Sequence, residues 1–388
     1  MNILFIGYWA FHEGLTTSTI LPHLQILSEF ESVEKVVFTS IERDLRVTEF
    51  RLDISKVTHI PLYSSNSKNV FKNKWHDFTF FPKKLIQYCN DYQIDKIICR
   101  GAPAGALGYI VWKKTNIPFI VESFEPHAQY MLESSVWKKY DPRYLLEYYW
   151  EQQQKKNAEY LLPVAHNYKQ KLIREGVLST KIEVVPCTVN LTQFSIDSVI
   201  RNRIRKRLSF EESDIVGVYV GKFGGLYYDE EAFECFNTCY KYWGKQFQLL
   251  ILSPQPLDEI KSRCLRVNLP EENVLVKKVS HDEIPDYLNS ADFAFTFYTP
   301  GSAKQFLSPI KIGEYWACGL PVLISKGIGD DAEIIHKESA GLVYDNILEV
   351  NFPILEKMIK QPKSVYRDFA VKYRNPKLDI EIYKKIFS

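Results

Sequence analysis

Short runs of β-branched and aromatic residues alternate with stretches of helical period along nearly the whole chain, and they do so in two series. The first series of strand signals is NILFIG (2–7), KVVF (35–38), THIPLY (58–63), KIIC (96–99), PFIVE (118–122), YLLPV (160–164) and IEVVP (182–186). Helical patterns fall between most of them, at 17–30, 82–92, 104–115 and 166–175. The second series is DIVGVYVG (214–221), FQLLILS (247–253), NVLVKKV (273–279), ADFAFTFY (291–298), LPVLIS (320–325) and GLVYD (341–345). Its helical stretches fall at about 229–242, 256–267, 281–289 and 308–318. Strands alternating with helices build right-handed βαβ units that close into a parallel, doubly wound sheet. The expected fold is therefore α/β, with two Rossmann-like domains at 1–190 and 214–365. A linker at 191–213 with a basic cluster and a short exposed helix joins them, and C-terminal helices at 366–388 are free to pack back on the first domain. At 388 residues, each half is long enough to bury its own core. Ligands of open parallel sheets bind outside the strand C-termini, so the cleft between the domains is the expected site.

Charge excludes one class of partner. The 49 basic and 47 acidic residues nearly cancel, leaving a net charge of +2 and no general case for nucleic-acid binding. The seven cysteines include no CxxC pair and lie in apolar runs such as KIICR and CFNTCY, which suits buried free thiols in a reducing cytoplasm. The N-terminal MNILFIGYWAF lacks a basic leader region and a small-residue cleavage site, so it reads as a first strand. No run of 18 apolar residues occurs. The expectation is a cytoplasmic protein, soluble or peripheral at the inner membrane face.

The richest segment is 298–323, YTPGSAKQFLSPIKIGEYWACGLPVL. Ser308-Pro309 reads as a helix cap followed by proline at the first helical position, and Gly319 with Pro321 reads as the matching stop. Lys311 falls in the first turn, where the helix dipole disfavours a cation by about 0.3–1 kcal/mol unless an anion sits in front of it. A helix N-terminus with such a lysine is a ready phosphate site. Glu314 lies one turn on, on the same face, placed to accept bonds from ribose hydroxyls. Gly313 between them permits close approach of a ligand or neighbouring backbone. The plainer reading is a solvated Lys311 paired with Glu314. A second glycine-rich turn, GKFGGLYYDEE (221–231), follows a strand and offers Gly221 and Lys222 to phosphate. Asp229, Glu230 and Glu231 within it also satisfy the start of the next helix.

SPIKIGEYWACGLPV resembles the SPxKxxEYxAxGxPV signature of bacterial family 4-type retaining glycosyltransferases, which have the GT-B fold. The stretches 166–194 and 279–295 also look like parts of that family, so the similarity covers most of 96–345. The resemblance implies a donor site at Gly221, Lys222, Ser308, Pro309, Ile310, Lys311 and Glu314, with Glu314 on the ribose and the helix start on the diphosphate. It implies catalytic roles for His127, Lys222 and Lys311, and acceptor contacts at His12, Gly14 and Glu125. Two positions depart from the pattern. Phe306 stands where relatives carry an acidic residue, and Tyr227 where they carry a second basic one.

Read without the resemblance, Glu122, Glu125 and His127 sit just past the strand PFIVE, where side chains of such sheets reach the ligand crevice, or else form an ordinary surface loop. The first loop, GYWAFHEGLTTST, lacks GxGxxG, which argues against NAD, and holds Thr16, Thr17 and Ser18 as candidate caps. No histidine spacing or DxD pattern suggests a metal; Asp330-Asp331 reads as a helix start. Residues 67–84 interleave Lys68, Lys72, Lys74, Lys83 and Lys84 with five aromatics. That pattern suits an anionic membrane surface or a loop whose rings pack inward.

The expected activity is transfer of a sugar from a nucleoside-diphosphate sugar to a hydroxyl of a saccharide or lipid-linked saccharide, with retention and without a cofactor or metal, in surface polysaccharide or glycoconjugate assembly. The alternatives are a sugar-nucleotide epimerase and a non-catalytic nucleotide-sugar-binding or scaffold protein of the same fold.

Overall fold

Apolar residues at consecutive rather than alternate positions mark strands covered on both faces, and such runs form two parallel sheets. The computed structural model describes residues 1–44, 50–65, 70–123, 125–299 and 301–387, without the side chains of 70–72, 74 and 75. Two compact units emerge: Met1–Pro186 with Pro376–Ser388, and Cys187–Asn375.

The first unit runs β1 (Asn2–Gly7), α1 (Gly14–Thr19), α2 (Leu21–Glu29), β2 (Lys35–Thr39), β3 (Ile41–Glu42), β4 (Val57–His59), β5 (Leu62–Tyr63) and α3 (Val70–Asp91). It continues through β6 (Lys96–Arg100), α4 (Ala102–Thr115), β7 (Phe119–Ser123), α5 (His127–Glu133), α6 (Pro142–Asn157), β8 (Tyr160–Pro163) and α7 (His166–Arg174). Six strands make one sheet in the order β4-β2-β1-β6-β7-β8, all parallel, while β3 and β5 pair separately. Counted along the chain this is the 3-2-1-4-5-6 order of a Rossmann sheet, whose switch point lies between β1 and β6.

The second unit opens with α8 (Ser198–Arg207), β9 (Ile215–Val220), α9 (Glu230–Trp243), β10 (Phe247–Leu252), α10 (Leu257–Arg266), β11 (Val274–Lys277) and α11 (Ile284–Ser290). It closes with β12 (Phe293–Thr296), α12 (Ile310–Ala317), β13 (Val322–Ser325), α13 (Asp331–Glu338), β14 (Gly341–Tyr344), α14 (Phe352–Ile359) and α15 (Lys363–Tyr373). Its order, β11-β10-β9-β12-β13-β14, repeats the first, with the switch point between β9 and β12. Side chains alternate across this sheet: Val216, Val218 and Val220 enter the core on one face, and Tyr219, Phe293 and Phe295 the core on the other. The last helix, α16 (Lys377–Phe387), belongs to the first unit.

A buried polar network fastens α16. Arg100 Nη1 donates to Glu122 Oε2 at 2.9 Å, the Tyr383 hydroxyl donates to Glu122 Oε1, and His23 Nδ1 lies 2.8 Å from that hydroxyl. Burial alone would raise the Glu122 carboxyl, but the His23 and Arg100 charges and the bonds from His23 and Tyr383 hold it down at about 2. Glu122, expected at a ligand crevice, is thus spent inside the unit.

Several elements differ from the reading of the sequence. IEVVP makes one bridge, Ile182 to Leu161, with the Glu183 and Val185 amides donating to the carbonyls of Leu161 and Pro163, and the next amide in that alternation, Cys187, donates to Ser308 instead. The segment at 191–213 carries α8, from which Arg205 alone of the basic cluster is buried, donating to the carbonyls of Ser290, Glu211 and Asp214, while Arg203, Lys206 and Arg207 stay exposed. α15 stays with the second unit, so 366–375 and 376–388 part company. The 67–84 segment enters a long helix, α3, with Phe78 stacked on Trp150 at 4.2 Å and Phe81 fully buried. Residues 67–69, including Lys68, and the side chains of Phe71, Lys72, Lys74 and Trp75 lie outside the described residues. Among the described residues no helix is long and apolar enough to cross a membrane. All seven cysteines are buried free thiols.

Candidate functional site

The geometry of the second unit centres on α12. This helix leaves the C-terminal end of β12, beside the switch point. Its Tyr315 and Trp316 are fully buried, and the Tyr315 hydroxyl accepts a bond from the Val220 amide at 3.1 Å, which fixes the helix to the end of β9. Pro309, not Ser308, occupies the cap position, and no side chain caps the helix. The Ser308 hydroxyl is turned the other way, accepting from the Cys187 amide at 3.1 Å and from Arg374. Ser308 and Pro309 are buried, while Ile310 and Lys311, in the first turn, are partly exposed.

Lys311 and Gly221 come together here. Gly221 follows β9 at φ +154°, and a β-carbon built on it would stand 3.7 Å from Lys311 Cε. A side chain at 221 would therefore meet a strained backbone and crowd the Tyr219 hydroxyl, 3.1 Å from such a β-carbon, with Lys311 in ordinary contact beside it. Among the described residues the Lys311 ammonium has no hydrogen-bond or ion-pair partner, and neither has the exposed Lys222 ammonium. The Lys222 carbonyl accepts from the Tyr219 hydroxyl at 2.5 Å.

Glu314 does not pair with Lys311. It is 3% exposed, its Oε1 lies 3.1 Å from His281 Nε2, and its Oε2 has no partner. A buried carboxylate oxygen left unmatched is costly, and a ligand hydroxyl bonded to it would remove that cost. The hydrogen bond to Glu314 raises the His281 imidazole above its ordinary value, against burial and the Lys311 charge. Gly313 admits the side chain of Arg374, whose Cγ would lie 3.2 Å from a β-carbon there.

The two departures from the family pattern fill space. Phe306 is buried. Tyr227 bridges to Tyr298 and rests on its ring at 5.0 Å. Next to Phe306, Lys304 is 3% exposed and donates to the carbonyls of Thr299 at 2.7 Å and Leu226 at 3.2 Å, stapling the loops that follow β12 and β9.

In the first unit, His127 opens α5 with Nδ1 2.8 Å from Glu125 Oε1. Burial pushes the imidazole down, but the bond and charge of Glu125, with Glu147 and Glu151, hold it up at about 9. Glu151 accepts from the Ala128 amide at 2.9 Å and is itself raised to about 7 by burial and by Glu147. Glu125 and Glu151 also line a small cavity together with Ser123, Gln154 and Tyr168. His12 is exposed, stacked on Phe50 at 5.9 Å, and Gly14 begins α1 in the open. Thr16 and Ser18 do not cap that helix; their hydroxyls donate back to the carbonyls of Ala10 and Gly14. Asp331 starts α13 behind Asp330.

His281 and the pair Glu147 and Glu151 were missed in the sequence. The SHDE pattern around His281 announces a capping box, which forms between Ser280 and Glu283, but nothing in it tells which way the histidine points.

Two parallel α/β units of Rossmann strand order define a GT-B fold. The whole chain overlays solved structures of that class. HepE of Anabaena in complex with UDP and glucose matches with a TM-score of 0.73 at 13% identity, over 100% of this chain and 99% of that one. Sucrose-phosphate synthase of Thermosynechococcus elongatus matches with a TM-score of 0.76 at 16% identity over the same shares. WaaG, a glycosyltransferase involved in lipopolysaccharide biosynthesis, matches with a TM-score of 0.70 at 14% identity, over 98% of this chain and 99% of that one. The sequence matches no protein-family model and no curated protein.

Proposed function

We propose that the protein is a retaining glycosyltransferase of the family 4 type, which moves a hexose from a nucleoside-diphosphate sugar to a hydroxyl acceptor in the assembly of a surface glycan. One observation carries the reading: α12 holds an unpaired ammonium at Lys311 and an unpartnered carboxylate oxygen at Glu314, one turn apart, at the switch point of the second sheet. A cation suits a diphosphate, and a carboxylate one turn further suits ribose hydroxyls. HepE, which shares the fold, was solved with UDP and with glucose.

In this reading the departing diphosphate is the group whose charge grows in the transition state. Lys311, Lys222 and the first amides of α12 stabilise it electrostatically, without a metal. Tyr227 leaves the lysines to carry this task without the second basic residue that relatives place there. Glycan assembly is favoured as the setting because WaaG, of the same fold, acts in lipopolysaccharide biosynthesis.

Incubation with UDP-, GDP- and ADP-sugars, with and without EDTA, tests the proposal. Release of the nucleoside diphosphate that accelerates with a saccharide acceptor and withstands EDTA is the expected result. Sugar-nucleotide epimerisation, or binding without turnover, would support the alternatives instead.

A further inference from the structure

His281 stands at the start of the 3₁₀ turn that leads into α11, immediately after Ser280. The Ser280 amide and hydroxyl both donate to Glu283, at 2.9 and 2.8 Å, so the backbone that carries the histidine is fastened. The ring meets Phe194 edge-on at 5.6 Å, a fully packed side chain that limits its rotation. From that position Nε2 reaches Glu314 Oε1 at 3.1 Å, across 33 residues of sequence. The charged groups that face it are Glu314 and Lys311 on α12 and Asp282 on its own turn.

The consequence lies in the geometry of the carboxylate. A buried glutamate with two free oxygens has no fixed plane, whereas one oxygen held by a donor fixes the plane and presents the other oxygen. Here Oε1 is held and Oε2 has no protein partner. We propose that His281 is a positioning residue for the donor nucleotide: by holding Glu314 Oε1 it aims Oε2 at a ribose hydroxyl. The proposal rests on the donor-site reading above and adds a residue to it from outside α12. Because an imidazolium donates more strongly than a neutral ring, the arrangement also makes ribose recognition depend on pH. The Glu314 bond raises the pKa of His281, so the charged ring persists above the ordinary imidazole value and is lost as pH rises past it.

The test compares UDP with 2′,3′-dideoxy-UDP by calorimetry, in the parent protein and in His281→Phe, His281→Gln and Glu314→Ala. The ratio of the two affinities isolates the ribose contact, because phosphate titration and any general loosening of the fold act on both ligands alike. The parent should prefer UDP, and His281→Phe should lose roughly tenfold of that preference, as expected when one charge-assisted hydrogen bond is weakened. His281→Gln, which keeps a donor but cannot titrate, should restore most of the preference and hold it level with pH. In the parent the preference should decline as pH rises above the raised value of the His281 imidazole. If Glu314→Ala abolishes the preference while His281→Phe retains it, the role of His281 is overturned and the donor site stands. If the parent binds both ligands equally, or binds neither UDP nor GDP nor ADP, the donor site falls and this proposal falls with it.

Discussion

Arg374 and Asp331 form a buried ion pair, Nη2 to Oδ1, and the same guanidinium donates through Nη1 to Ser308 and to the Cys187 carbonyl. The residue that follows α15 thus fixes both the entry to α12 and the start of α13. Removing one member of a buried pair leaves the other charge uncompensated, which costs about 3–5 kcal/mol. Arg374→Met keeps the methylenes that pack on Gly313, so its loss reports the guanidinium, the ion pair together with its bonds to Ser308 and Cys187. We predict a fall of that size in the urea unfolding free energy. A change below about 1 kcal/mol, the level of an exposed pair, would contradict the assignment.

Much of the architecture was legible because the strands are continuous apolar runs. The boundaries of β1, β6 and β9 fall within a residue or so of their sequence signals. The end of α12 was equally plain, since Gly319 and Pro321 are local stop signals. What escaped has a physical reason in each case. α6 begins behind Asp141, whose side chain accepts from the Arg143 amide, with Pro142 at the first position, but its polar body of low apolar contrast masks the helix. IEVVP has strand composition and lies alongside β8 at the sheet edge, where its ladder stops after the Glu183 and Val185 amides because the Cys187 amide turns to Ser308. The partner of Glu314 was invisible because a contact across 33 residues leaves no periodic trace.

Glu122 supplies an acid-sensitive lock on α16. Its folded pKa of about 2 lies below the ordinary glutamate value near 4.3, so its contribution, on the order of 3 kcal/mol, is fully present above about pH 5. It disappears as pH falls toward 2. Glu122→Gln should lower stability at neutral pH and flatten its dependence across that acid window. Parallel stability-pH curves for parent and variant would contradict the pairing with Arg100 and His23.

His127 titrates in the opposite sense. A folded pKa of about 9, above the ordinary 6.5, means that its charged form stabilises the fold below about pH 6.5 and that this support is lost as pH rises through 9. The imidazole proton resonances should shift with a midpoint near 9, and Glu125→Gln should bring that midpoint down by removing the hydrogen-bonded partner. An unchanged midpoint in the variant would show that Glu125 does not hold the proton.

Lys311→Met should cut kcat more than it weakens UMP binding, because the ammonium matters most as diphosphate charge develops. A loss of about tenfold or more in kcat is expected from one such donor. Equal losses for UMP and UDP with kcat spared would assign the lysine a structural role.

Binding of a nucleoside diphosphate by α12 through Glu314 and Lys311 is read out by calorimetric titration of UDP, GDP and ADP into the parent and into Glu314→Ala. The account predicts that at least one of the three binds the parent, and that the folded variant binds it about 10- to 100-fold more weakly, the loss of charge-assisted bonds worth ~1.5–3 kcal/mol. Equal affinity in a variant with an unchanged unfolding midpoint, or no binding to the parent, would contradict it.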